Sequence, residues 1–236
     1  MKTHLIVGLG NPGKKHERNR HNIGFIALDE IRTQNIGFTP WRKDFSGLVS
    51  QGQIGSHKVL LLKPQTYMNK SGDSVRQALS FFKLHASDMT VFYDEIDLAP
   101  SKLRVKVGGG NGGHNGIRSI ETQWKDKNFR RVRIGVGHPG HKDQVAKYVL
   151  HDFSKDDDTW ISKLLPSLSI ELGRLLDGDD QGYASRVAQV LVPATRKVPT
   201  EDISASKPHP NNKSFQSSNA LGLAFQKIKS LTKRGP

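Results

Sequence analysis

The sequence predicts an α/β fold: a single α/β/α sandwich over residues 1–193, built on a mixed, mostly parallel twisted sheet. Three observations predict it. Short apolar runs alternate with stretches of helical periodicity, the rhythm of βαβ units. Two neighbouring runs, Val49 to Ile54 and Val59 to Leu62, are separated only by a turn at Gly55-Ser56, so a hairpin interrupts that rhythm. After Val192 the chain becomes rich in Pro, Ser, Asn and Lys with few large apolar residues, the composition of a linker and not of a core.

Taken in order, Leu5-Ile6-Val7 is a short apolar run stopped by Gly8-Leu9-Gly10-Asn11-Pro12-Gly13, a buried strand feeding a loop. That loop spells a dinucleotide-binding fingerprint, but a true one opens a helix at once. Lys14 to Arg20 has no apolar face, and periodicity begins only at Ile23, which disfavours a nicotinamide or flavin enzyme. His16 and His21 lie five apart, not the four that puts two ligands on one helical face, so no zincin site follows. Residues 22–34 read as an amphipathic helix and Gly37 to Pro40 as a connection. The hairpin comes next, then a loop from Pro64 to Asn69 and a helix opening at Ser71 with Val75, Leu79 and Phe82 on one face. Val91-Phe92-Tyr93 is a buried strand ending in Asp94. Leu103 to Val107 alternates strictly, with Arg104 and Lys106 on one side of an edge-like strand. A glycine-rich turn, Gly108 to Gly116, precedes a helix near 117–125, and Val132 to Val136 is a further strand. Helical stretches follow near 142–150, 155–177 and 180–192. Residues 194–236 read as a disordered basic tail. Within it, 220–232 has the spacing of a short basic amphipathic helix, and a solvated tail that orders only on contact is the plainer reading.

The balance of 36 Lys and Arg against 22 Asp and Glu leaves a formal charge of +14 over 236 residues. Residues 194–236 hold eight basic and two acidic residues, so +6 lies in the tail and +8 in residues 1–193. A surplus this large and this spread favours a polyanionic partner, nucleic acid being the commonest. Cysteine is absent, which removes disulfides, thiolate nucleophiles and cysteine–metal sites together and fits a cytoplasmic chain. No apolar run approaches a membrane span and no signal peptide is evident.

Four strand-end or loop segments present polar groups: Asn11, His16 and His21; Tyr67, Met68 and Asn69; Asp94; and Asn115. Singly they are bland, Asn11 as a turn residue and Asn115 as a helix N-cap. Together they permit a hydrolytic arrangement. A histidine is suited to act as base near neutrality, a carboxylate on its other nitrogen fixes the tautomer, and amides can donate to an oxyanion. No Gly-x-Ser-x-Gly elbow, cysteine or carboxylate pair supplies a nucleophile, so the residues point to water activated directly by a hydrolase without metal or cofactor.

Six segments, Gly8 to Gly13, Arg20-His21-Asn22, Lys63 to Gly72, Asp94 to Leu98, Gly108 to Gly116 and Arg133 to Gly140, resemble the motifs of the bacterial peptidyl-tRNA hydrolase family, in the family's order and across residues 1–193. The resemblance implies hydrolysis of the ester joining peptide to tRNA, recycling tRNA from aborted translation, with peptidyl-tRNA as partner; the chain is expected to be a cytoplasmic monomer. It implies His21 as catalytic base, Asp94 as the group that keeps it basic, and Asn11 as the discriminator of blocked from unblocked aminoacyl-tRNA. His16, Tyr67, Met68, Asn69, Gly112 and Asn115 would meet substrate, His16 standing at a position where the family usually has Tyr. Arg104, Lys106 and Arg133 match positions implied in tRNA phosphate contact. Competing readings are a silent RNA-binding relative and a nucleotide-dependent enzyme built on the first glycine loop.

Overall fold

The computed structural model describes residues 3–191. Seven strands form one sheet: β1 (Thr3–Gly8), β2 (Arg42–Asp44), β3 (Gly47–Ile54), β4 (His57–Pro64), β5 (Met89–Glu95), β6 (Leu103–Val107) and β7 (Arg130–Gly135), in the order β2-β3-β4-β1-β5-β7-β6. β1 pairs in parallel with β4 and β5, and β5 in parallel with β7, while β2–β3, β3–β4 and β6–β7 are antiparallel. Five strands therefore run one way, with only β3 and β6 against them, which is the mixed, mostly parallel sheet expected.

Helices cover both faces. On one side α1 (Ile23–Gln34), α5 (Asp158–Ile170), α6 (Leu172–Leu176) and α7 (Asp180–Leu191) bury a core around Ile6, Phe92, Val132 and Leu168. On the other, α2 (Ser71–Phe82) and α3 (Asn115–Trp124) bury Leu5, Val7, Leu60, Val91 and Ile120. Alternate residues of β1 and β5 feed opposite cores, as the two-residue period of a strand requires. The short α4 (Val145–Val149) follows β7.

The sheet reverses direction of growth at β1. The chain leaves β1 through α1 to build β2–β4 on one side, then returns through α2 to build β5–β7 on the other. Such a switch point opens a crevice beyond the carboxyl ends of the two central strands, and here those ends belong to β1 and β5. Gly24 makes the approach close. A Cβ there would stand 2.3 Å from the Phe92 carbonyl oxygen and 2.4 Å from the Leu9 nitrogen, so α1 starts directly on the backbone of both strands. Gly8 answers it, with its own Cβ position 2.3 Å from the Gly24 carbonyl oxygen. Two glycines of the fingerprint-like loop are therefore packing devices: a Cβ at Gly10 would meet the Phe25 ring at 2.7 Å. No dinucleotide-type helix follows the loop; a 3₁₀ turn at Lys14–His16 does.

Three local details depart from the sequence reading. β2 was not expected, because Arg42-Lys43-Asp44 carries no apolar pattern; it forms as a charged edge joined to β3 through Phe45 and Ser46, both at positive φ (49° and 53°). The helical stretch at 155–177 is divided into α5 and α6. α3 begins at Asn115 and its N-cap is His114, not Asn115. Tail residues 194–236, with the helical spacing at 220–232, lie outside the described residues. Among the described residues, no helix is long and apolar enough to cross a membrane.

Candidate active site

The crevice is built from four segments. The loop after β1 is closed at its neck by a reciprocal pair, in which the Asn11 backbone N–H donates to Asn22 Oδ1 and Asn22 Nδ2 donates to the Asn11 carbonyl, both at 2.9 Å. A 3₁₀ turn, Arg20–Asn22, ends that loop and runs into α1. Because α1 starts against β5, this turn lays the His21 ring beside the last residues of that strand.

There His21 Nδ1 lies 2.9 Å from both carboxylate oxygens of Asp94. Asp94 is 3 % exposed and also accepts from His114 Nε2 at 2.9 Å through Oδ1. The tautomers follow from the partners. His114 Nδ1 accepts from the backbone N–H groups of Gly116 and Ile117 at 3.2 and 3.3 Å, so its proton is on Nε2. The neutral His21 carries its proton on Nδ1, facing the carboxylate, and its Nε2 keeps the lone pair. Burial alone would push the Asp94 carboxyl up, but the two imidazoles outweigh it and hold Asp94 well below the usual carboxylate range. Burial alone would lower His21; the Asp94 charge and hydrogen bond outweigh that and raise it above its ordinary 6.5. The result is an oriented imidazole, more basic than usual, with one nitrogen available.

Asn11 faces the same crevice. Its Oδ1 accepts from the Met68 backbone N–H at 2.8 Å, which fixes the amide and leaves Nδ2 as the donor end. Met68 is buried against the start of α3, where a Cβ at Gly116 would meet its Sδ at 2.6 Å. Tyr67 is 63 % exposed on the rim, and Asn69 and Asn115 are exposed beside it. Asn11, His21, Asp94, Met68 and the N-terminus of α3 are thus brought together.

The remaining sequence candidates are placed differently. His16 Nδ1 bonds Asn19 Oδ1 at 2.7 Å, and Asn19 Nδ2 donates to Asp152 Oδ1 at 2.8 Å, so His16 belongs to a separate network. Arg104 and Arg133 face each other across β6 and β7, with Lys106 opposite Arg131, on one face of the sheet. Arg104 and Lys106 are exposed, whereas Arg133 is clamped on Glu95, whose Oε2 accepts from Nε at 2.8 Å and Nη2 at 2.7 Å. Gly112 (φ 56°) lines a small cavity of about 80 Å³ beside them, with Tyr93 and Arg131. Burial and the Glu95 charge push the Tyr93 hydroxyl there up to about 12.

A scan against family models matches the peptidyl-tRNA hydrolase family over residues 5–194. The chain belongs to the peptidyl-tRNA hydrolase family. Peptidyl-tRNA hydrolases of Dinoroseobacter shibae (52 % identical over 189 residues, 80 % of each chain) and of a Ruegeria species (54 % over 189 residues, 80 % and 75 %) are similar to it. Among solved structures, a peptidyl-tRNA hydrolase in complex with N-propanol and the Acinetobacter baumannii enzyme each superpose with a TM-score of 0.74, at 36 % and 34 % identity, covering 79 % of this chain and 94 % of theirs.

Sequence reasoning about this peptidyl-tRNA hydrolase family member missed three residues. His114 was hidden because histidine is outside the usual N-cap set, so Asn115 attracted the capping role. Asn22 and Glu95 were visible only as neighbours of His21 and Asp94. His114 also completes a trio, His21, Asp94 and His114, whose potential ligand atoms lie within 4.8 Å of one another. The nitrogens facing Asp94 both carry protons in the arrangement above, so the trio is satisfied by its own hydrogen bonds.

Proposed function

We propose that residues 1–193 form a catalytic domain that cleaves peptidyl-tRNA through water activated by His21. As a peptidyl-tRNA hydrolase, the chain hydrolyses the ester between the peptide and tRNA. In the proposed mechanism, His21 Nε2 takes a proton from water as the oxygen attacks the ester carbonyl. Asp94 stabilises the imidazolium that results. Asn11 Nδ2 donates to the developing oxyanion and helps distinguish blocked from unblocked substrates. Collapse of the tetrahedral intermediate breaks the bond to the ribose oxygen, which recovers the proton from His21. Tyr67, Met68, Asn69, Gly112 and Asn115 hold the terminal nucleotide and peptide, and Arg104, Lys106 and Arg133 meet tRNA phosphates; His16, held by Asn19, is given no part in holding them.

The observation that carries this reading is the His21–Asp94 pair, 2.9 Å to both oxygens, at the mouth of the switch-point crevice. The cysteine-free sequence supports a cytoplasmic setting, and we read the chain as acting as a monomer without metal or organic cofactor. Incubation of the purified chain with an N-acetyl-aminoacyl-tRNA tests it: release of free tRNA is expected, and binding without cleavage would favour a silent RNA-binding relative.

A further inference from the structure

The substrate has two polymer arms joined at one ester, so a site at the centre of the sheet needs two exits. The basic edge, β7 and β6, lies on one side of the β1–β5 crevice. The sheet order puts β4, β3 and β2 on the other. β4 runs parallel to β1 and β5, so its carboxyl end, Pro64, shares their rim, and Gly47 at the start of β3 is paired with Pro64 there. On this rim lies a groove of about 550 Å³, within the size range of ligand sites. Its walls include Lys43, Phe45, Ser46, Leu48, Gln65 and Thr66.

We propose that this groove is a subsite for the peptide arm of the substrate. The inference rests on the peptidyl-tRNA hydrolase reading of the centre. Gln65 and Thr66 immediately precede Tyr67 and Met68, and Met68 N–H is held by Asn11, so the groove continues the wall of the site itself. The Gln65 backbone N–H donates to the Ser46 carbonyl at 2.9 Å, which ties the β2–β3 turn to that wall. With strands about 4.8 Å apart, the groove on β3 begins roughly 10 Å from β1, a distance an extended peptide covers in about three or four residues. The lining suits a ligand of unspecified sequence: apolar contact from Leu48 and Phe45, the Lys43 cation, an Asp44 carboxylate already paired with Arg42, and polar groups at Ser46 and Gln65. Thr66 is half-buried at the inner end of this lining, next to Tyr67. The strained Phe45-Ser46 pair, both at positive φ, shapes the outer wall.

The test compares an N-acetyl-aminoacyl-tRNA with the same tRNA carrying a pentapeptide, using the full chain and its Gln65→Trp variant, which fills the groove. The wild type is expected to prefer the longer substrate in kcat/KM by about tenfold, the scale of one half-buried apolar contact, and Gln65→Trp to bring that ratio near one. A photoreactive residue four positions from the ester should label the segment 43–48 or 65–66. A wild-type ratio near one, a ratio unchanged by Gln65→Trp, or labelling confined to the β6–β7 side would overturn the subsite. Failure to cleave even the short substrate would instead overturn the reading of the centre.

Discussion

His21 and Asp94 meet through Nδ1 and both carboxylate oxygens at 2.9 Å, although 73 residues separate them in the chain. The pairing exists because Gly24 lets α1 start on the backbone of β1 and β5. It sets both the tautomer and the basicity of the imidazole.

A pH profile follows from this. A base must be neutral to accept a proton, and His21 is raised above 6.5. The acid limb of kcat/KM should therefore have its midpoint above 6.5, with activity rising as pH rises through it. Asp94→Asn removes what raises His21 and leaves the burial that lowers it, so the midpoint should move down. Its rate should fall by about 10²–10⁴-fold through the lost tautomer control. A midpoint that stays in place would separate the two residues.

His114 should act in the opposite sense. Its N–H shares the Asp94 charge that His21 otherwise receives alone. His114→Ala should move the acid limb to higher pH. It should also destabilise the domain by about 2–4 kcal/mol in urea unfolding, from the lost helix cap and the lost bond to a buried carboxylate. A downward shift of the limb would contradict the shared-charge account.

The basic edge predicts a split between substrates. Each phosphate contact removed flattens the log–log salt dependence by about 0.7–0.9. Arg104→Ala and Lys106→Ala should each show that loss and a raised KM for full-length tRNA, with little effect on a substrate reduced to the terminal nucleotide. Arg133→Ala should flatten the slope less, because Glu95 already balances its charge. Equal impairment of the minimal substrate would place these residues in the chemistry or the fold.

Much of this was legible in the sequence. The apolar run of β1, the Gly55-Ser56 hairpin and the strict alternation of β6 are strong periodic signals, and each element stands where its pattern put it. β2 was silent because a three-residue edge strand has no room for a period, and its turn uses Phe45 and Ser46 where an Asn-Gly pair would have signalled a hairpin. The site followed the same division. His21 and Asp94 could be named from strand ends, whereas His114 depends on a tertiary bond to Asp94 and on a cap that histidine rarely makes. The ion pair of Arg133 with Glu95 was equally hidden, since it forms between adjacent strands whose register no local pattern states.

Metal dependence gives a further check. The His21, Asp94 and His114 atoms lie close enough to hold an ion, but their hydrogen bonds assign protons to the nitrogens that would have to bind it. Turnover should survive exhaustive chelation. Loss of activity restored by a single added divalent metal would make the trio a metal centre and replace the mechanism.

The central claim is that His21 Nε2 takes the proton from water, and single-turnover cleavage of N-acetyl-aminoacyl-tRNA by His21→Ala tests it most directly. The variant should fold as the wild type does by circular dichroism, bind full-length tRNA with the same salt dependence, and cleave about 10²–10⁴-fold more slowly. A folded His21→Ala protein that cleaves at the wild-type rate would contradict the account.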